Sequence, residues 1–142
     1  MVRYKLCGVA LTVMGFLSLS VPAFAHHSFG AEFDAKNCRS MTGVFTKYDW
    51  SNPHAYFYMD VKDDSGKVTP WTFESISLSS LRRSGTTRQD FIAVTGKTVT
   101  VRACVAKNGQ PRASAEVLTT PDGRQLRVGN AGNHDDNGGG AY

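Results

Sequence analysis

Residues 54–61, HAYFYMDV, alternate between two kinds of position, one residue at a time. The apolar set, which predicts the buried face of a strand, is Ala55, Phe57, Met59 and Val61. The other set, which predicts the wetter face, is His54, Tyr56, Tyr58 and Asp60. The segment is therefore expected to form a half-buried β-strand, with His54 beside two tyrosines on its solvated side.

Further segments of the sequence predict the other strands and a helix, and their order along the chain indicates the fold. Strands are predicted at 40–50, 68–74, 97–109 and 113–120, the last followed by a short QLRV segment, and a helix is predicted at 75–85. Three strands, a short helix and two strands within roughly a hundred residues predict an all-β fold with one short helix, a five-stranded OB-like barrel. A small β-sandwich is the alternative, although a closed barrel would also hide the edges of so small a sheet.

The first 25 residues are organised like a secretory signal. A basic start with Arg3 and Lys5 precedes 16 uncharged residues, and PAFA then gives the small-residue spacing of a cleavage site. We expect cleavage between Ala25 and His26, and a periplasmic or secreted protein without a membrane anchor. The alternative, a transmembrane anchor, is disfavoured because the apolar run is short and nothing basic follows it as a stop.

The remaining chain divides into three parts. Residues 26–39 form a polar N-terminal segment predicted to be irregular, 40–128 the barrel domain, and 129–142 a glycine-rich tail predicted to be disordered.

The net charge does not indicate nucleic acid as a partner. The chain has 16 basic and 12 acidic residues, but the leader holds two of the basic ones, so 14 against 12 leaves +2. An unidentified periplasmic protein or a small ligand is the expected partner.

Two cysteines, Cys38 and Cys104, follow the leader. In an exported chain an even number of cysteines favours a disulfide, here closing a loop of 104 − 38 = 66 residues. Two free thiols and two soft metal ligands are the alternatives.

Several short motifs carry a family resemblance. They are HHSFGAEFD after the leader, TGVFTKYDWSNPHAYFYMDVKD, WTFE, LRRSG and TPDGR. Together they resemble DUF6152, a bacterial family of small exported domains of unknown function, over residues 26–128. The resemblance implies a compartment and a small domain but no activity. The cysteine pair departs from the family's pattern, and the glycine-rich tail lies outside the resemblance.

Histidines in the first two of these motifs predict a metal site. If cleavage exposes His26, its α-amine and imidazole Nδ1 form one chelate, and a second imidazole completes a three-nitrogen site suited to Cu(II). His54 is the preferred partner because it starts a strand on a polar face. His27, Glu32 and Asp34 are alternatives. The sequence thus predicts copper, or another divalent ion, bound through an N-terminal histidine.

A metal-free alternative uses aromatic side chains. Trp50, Tyr56, Tyr58 and Trp71 would stack on a peptide, a glycan or a small ligand across strands two and three of an OB-like barrel. Tyr56 is also a candidate axial or outer ligand of the metal site. The chain lacks the GxSxG, HExxH and phosphate-loop motifs, so the sequence favours a binding module over an enzyme.

Overall fold

One long strand organises the molecule, because it pairs with two different neighbours along its length. The computed structural model describes residues 29–130; the predicted leader, His26, His27 and the tail from residue 131 lie outside the described residues. In chain order the elements are α1 (Phe29–Glu32), β1 (Phe33–Asp49), β2 (Tyr56–Lys62), β3 (Val68–Glu74), α2 (Leu78–Arg83), α3 (Arg88–Val94), β4 (Thr98–Ala106), β5 (Arg112–Thr119) and β6 (Gln125–Arg127).

Strand pairing closes the sheet into a barrel. The early part of β1 runs antiparallel to β4 and its later part antiparallel to β2. β3 pairs with β2, β5 pairs with β4, and a parallel pairing of β3 with β5 completes the ring. β6 is an additional strand on β5. The predicted five-stranded OB-like barrel is confirmed, with one extra strand outside the prediction's count.

Gly43 lies where β1 contacts both neighbours, opposite Val61 of β2 and Val99 of β4. A Cβ atom at this position would overlap the backbone carbonyl of Asp60. Glycine therefore permits the close approach by which one strand serves both halves of the barrel.

The core is built on four fully buried phenylalanines: Phe45, Phe57, Phe73 and Phe91. Phe57 stacks between Phe45 and Phe73, with ring centroids 5.4 and 5.1 Å apart. Phe91, from α3, meets Phe45 and Phe57 edge-on at 5.6 and 5.7 Å. The alternation in residues 54–61 is confirmed, since Ala55, Phe57 and Met59 are fully buried and Val61 is half-buried.

Three local expectations differ from the structure. The segment expected to be irregular up to residue 39 contains α1, and β1 already begins at Phe33, where Phe33 pairs with Ala106. The predicted helix at 75–85 is shorter, with Ser77 as N-cap and Gly85 after its end at φ 82°. A further helix, α3, follows and supplies the phenylalanine that plugs the barrel.

No helix in residues 29–130 is long and apolar enough to cross a membrane.

Cys38 and Cys104 are joined by a disulfide, as predicted. They are direct partners in the β1–β4 ladder, on adjacent antiparallel strands. Their side chains lie on the opposite face of the ladder from Ala103 and Ala115, which point into the core, and Cys104 is fully buried there. The bond thus fastens the early part of β1 to the barrel.

Candidate metal-binding site

His54 lies at the end of the barrel where β2 begins. It follows a cis Asn52–Pro53 bond, and backbone hydrogen bonds between Ala55, Ser75 and Ile76 continue the β2–β3 pairing past it. Its ring Nδ1 lies 3.0 Å from the carbonyl oxygen of Ser75 and 3.4 Å from Oε1 of Glu74. The side chain is 29% exposed. The ring is therefore held by its Nδ1 edge while solvent reaches the residue.

Glu74 connects His54 to an ion-pair network. Its Oε2 accepts a hydrogen bond from Nη2 of Arg112 at 2.6 Å, and Nη1 of Arg112 lies 3.0 Å from Oε2 of Glu32. The guanidinium also lies over the ring of Phe33, 5.4 Å from its centroid. Three contacts, each 3.4 Å or shorter, thus connect Glu32 at the end of α1 with His54 at the start of β2.

The network is acidic overall. Glu32 and Glu74 carry one negative charge each and Arg112 one positive charge, so −2 + 1 leaves −1 beside the imidazole. Burial raises the pKa of the Tyr56 phenol above its ordinary value, and the charge and hydrogen bond of Glu74 raise it further. Burial alone would lower the pKa of Arg112, but the hydrogen bond to Glu74 and the charges of Glu74 and Glu32 raise it. The local field favours a cation.

The segment α1 is fastened to the same region of the barrel. The backbone N–H of Lys107 donates to the carbonyl of Glu32 at 2.9 Å, and Lys107 Nζ donates to the carbonyl of Gly30 at 2.6 Å. The rings of Phe29 and Phe33 lie 5.6 Å apart. The segment Phe29–Glu32 is therefore held against the β4–β5 turn and Arg112.

The predicted ligand set is brought together only in part. His54 and Glu32 belong to one network, whereas Asp34 accepts a hydrogen bond from the nearby Lys36 N–H at 3.0 Å. His26 and His27 lie outside the described residues. Sequence reasoning missed Glu74 and Arg112, which hold His54 and α1. The signal was available for Glu74, since it ends the predicted strand WTFE.

The four aromatic candidates lie on two different sides of the sheet. Trp50 meets Phe91 edge-on at 5.2 Å, and Trp71 stacks on Phe73 at 6.2 Å, so both pack against the core. Tyr56 and Tyr58 point outward from β2, where Nζ of Lys47 lies 4.4 Å from the centroid of Tyr58. The two tyrosines thus share the outer face of β2, whereas the two tryptophans pack against the core.

Comparison with known proteins identifies one family model. The model described as a family of unknown function, DUF6152, matches residues 14–115. Among the curated proteins and the solved structures compared, none matches this chain.

Proposed function

We propose that this chain, which belongs to the DUF6152 family of unknown function, is an exported module that binds copper(II) through His26 and His54. The observation that carries the proposal is the placement of Nδ1 of His54 against Ser75 and Glu74.

The hydrogen bond of His54 matches what a metal ligand needs. A carbonyl oxygen can only accept, so the contact with Ser75 keeps the proton of a neutral imidazole on Nδ1. The lone pair then lies on Nε2. Ligating histidines nearly always donate their other ring N–H to a carbonyl or a carboxylate, which fixes the tautomer and the ring orientation. Glu74, 3.4 Å from the same nitrogen, strengthens this arrangement.

The N-terminal histidine supplies the other nitrogens. After cleavage behind Ala25, His26 offers an α-amine and an imidazole three residues before Phe29, a span of about 10 Å at full extension. The bridge from Glu32 through Arg112 to Glu74 ties α1 to the strand end that carries His54. A nitrogen-rich donor set favours Cu(II) among the common divalent ions. His27 is the alternative second imidazole.

Two observations support a location outside the cytoplasm. The leader has the order of a secretory signal, and the Cys38–Cys104 disulfide is the kind of bond that persists in an oxidising environment. Export also leaves a free amine on His26, without which the chelate does not form.

A competition titration tests this function. Protein beginning at His26, verified by intact mass, is titrated with Cu(II) against a chelator of known affinity. His54→Ala is expected to weaken Cu(II) binding roughly a hundredfold or more. This exceeds the 10–100-fold loss of metal affinity that follows from removing a side chain that only supports a ligand. Protein that retains Ala25 is the matched control for the amine, and it should also bind more weakly. Equal affinity in all three proteins would refute the site.

The metal-free alternative predicts a different pattern. The outward pair Tyr56 and Tyr58 offers a smaller stacking surface than four aromatic side chains on one face. This alternative predicts a ligand whose binding is unchanged by a chelator and is abolished by Tyr58→Ala. Finding such a ligand would favour the aromatic face over the copper site.

A further inference from the structure

A second cluster of metal-ligating side chains lies on the outer face of β1, β4 and β5. The two sulfur atoms of Cys38 and Cys104 and a carboxylate oxygen of Glu116 all lie within 4.8 Å of one another. Cys104 and Glu116 are buried, and Cys38 is half-buried. None of these residues belongs to the network of His54.

We infer that reduction of the Cys38–Cys104 disulfide creates a binding site for a thiophilic divalent cation such as Zn²⁺, with Glu116 as the third ligand. A dithiol or phosphine reductant supplies two electrons, and two protons from solvent complete two thiols. Binding of the ion to both sulfurs as thiolates then releases those two protons. The same pair of residues thus alternates between a covalent cross-link and a metal site.

The fold keeps the two sulfurs adjacent without the bond between them. Cys38 and Cys104 are register partners, and the β1–β4 pairing continues without a shift as far as Val44 opposite Thr98. Backbone hydrogen bonds of this ladder do not depend on the disulfide. Two thiolates on neighbouring strands and one carboxylate make three ligands, which leaves a fourth position for water in a tetrahedral zinc site.

Glu116 is oriented toward the sulfurs by an arginine. Nε of Arg102 lies 2.8 Å from Oε2 of Glu116, while Oε1 lies 3.8 Å from the sulfur of Cys104. Charge balances when the ion is bound: two thiolates and Glu116 contribute −3, the ion +2 and Arg102 +1, which gives zero. A neutral cluster limits the cost of holding charges at a buried position.

The exposure of Cys38 provides access. Cys104 is fully buried, whereas Cys38 is partly open to solvent, so a reductant attacks the sulfur of Cys38. The ion and its water ligand reach the cluster from the same side.

Cadmium titration of the reduced protein tests this site, because thiolate-to-cadmium charge transfer gives an ultraviolet absorption that histidine and carboxylate ligands do not. The chain is used in a Cys7→Ser background, so that Cys38 and Cys104 are its two cysteines. The reduced protein is expected to bind one equivalent with this absorption, and the oxidised protein to give none. Glu116→Gln should weaken binding by roughly a hundredfold or more, because it replaces a charged ligand with a neutral amide, a larger loss than that of an outer contact.

Glu74→Gln is the matched control, since it removes the same charge from another glutamate that is paired with an arginine. It should leave cadmium binding unchanged, as should His54→Ala, so failure here is distinguishable from failure of the copper site. Absence of the absorption in the reduced protein would overturn the inference. Binding that is unaffected by Glu116→Gln would also overturn it, because the site would then lack its third ligand.

Discussion

Nδ1 of His54 and the carbonyl oxygen of Ser75 lie 3.0 Å apart, across the extension of the β2–β3 ladder. This contact fixes the edge of the imidazole that faces the barrel and directs the reactive lone pair to the other nitrogen. Ser75 is itself held, because its side-chain hydroxyl donates to the carbonyl of Val128. The position of one ring nitrogen thus depends on two strands and on the segment that follows β6.

Glu74→Gln is expected to weaken Cu(II) binding 10–100-fold while the fold is retained, because it removes the carboxylate that supports His54 and pairs with Arg112. Competition titration measures the affinity, and ¹⁵N chemical shifts of His54 report its tautomer. Glu116→Gln is the control and should change neither quantity. Wild-type affinity in Glu74→Gln would contradict the positioning role of Glu74.

The barrel could be predicted from the sequence because the residue patterns that indicate its strands are local. Alternation in residues 54–61 identified the core face of β2, and the order of elements identified the topology. Pro70, a residue type that sheets tolerate at edges and bulges, lies where β3 pairs with β2 before the pairing with β5 starts at Thr72.

The helix α3 was missed because its seven residues bury only Phe91 and Val94, too few positions to establish a helical period. A capping box was present in the sequence as Thr87 and Asp90, three residues apart, and would have identified the helix start.

The ion-pair network at His54 could be predicted only in part, because its members come from distant parts of the chain. His54 and Glu32 were candidates, but Glu74 and Arg112 are 38 residues apart in the chain. Their contact depends on the parallel β3–β5 pairing, in which Thr72 lies opposite Arg112. Long-range pairing of this kind leaves no local pattern, so side chains that position a candidate ligand are harder to find than the ligand.

Phe91→Ala is expected to destabilise the protein by about 3–5 kcal/mol, because a fully buried ring that contacts four other aromatic side chains is lost. Ile92→Ala, on the same helix but 46% exposed, is the matched control and should cost much less. Denaturant unfolding followed by far-UV circular dichroism measures both. If Phe91→Ala does not fold, Phe91→Leu should still show a loss larger than that of Ile92→Ala. Equal losses would mean that α3 does not plug the barrel.

Asp90 is expected to make stability depend on acid. Burial would raise its pKa, but hydrogen bonds from Arg124 and Thr87 outweigh burial and lower the pKa below its ordinary value of 3.8. A carboxyl group whose pKa is lower in the folded state contributes stability above that ordinary value and loses it as the pH falls through the folded pKa. Asp90→Asn should therefore cost about 1 kcal/mol at neutral pH, and the difference from wild type should shrink below about pH 4.

Unfolding midpoints across this pH range measure the effect of Asp90→Asn. Asp64→Asn, an exposed aspartate in the β2–β3 turn, is the control and should have little effect at neutral pH. A constant difference between Asp90→Asn and wild type at all pH values would contradict the linkage.

The most direct test of the copper site is electron paramagnetic resonance of protein beginning at His26, loaded with one equivalent of Cu(II). We expect a tetragonal signal with nitrogen superhyperfine structure from three nitrogens, two from His26 and one from His54. In His54→Ala one nitrogen should disappear from the coupling pattern. An identical spectrum in wild type and His54→Ala would contradict the central claim that His54 is a ligand.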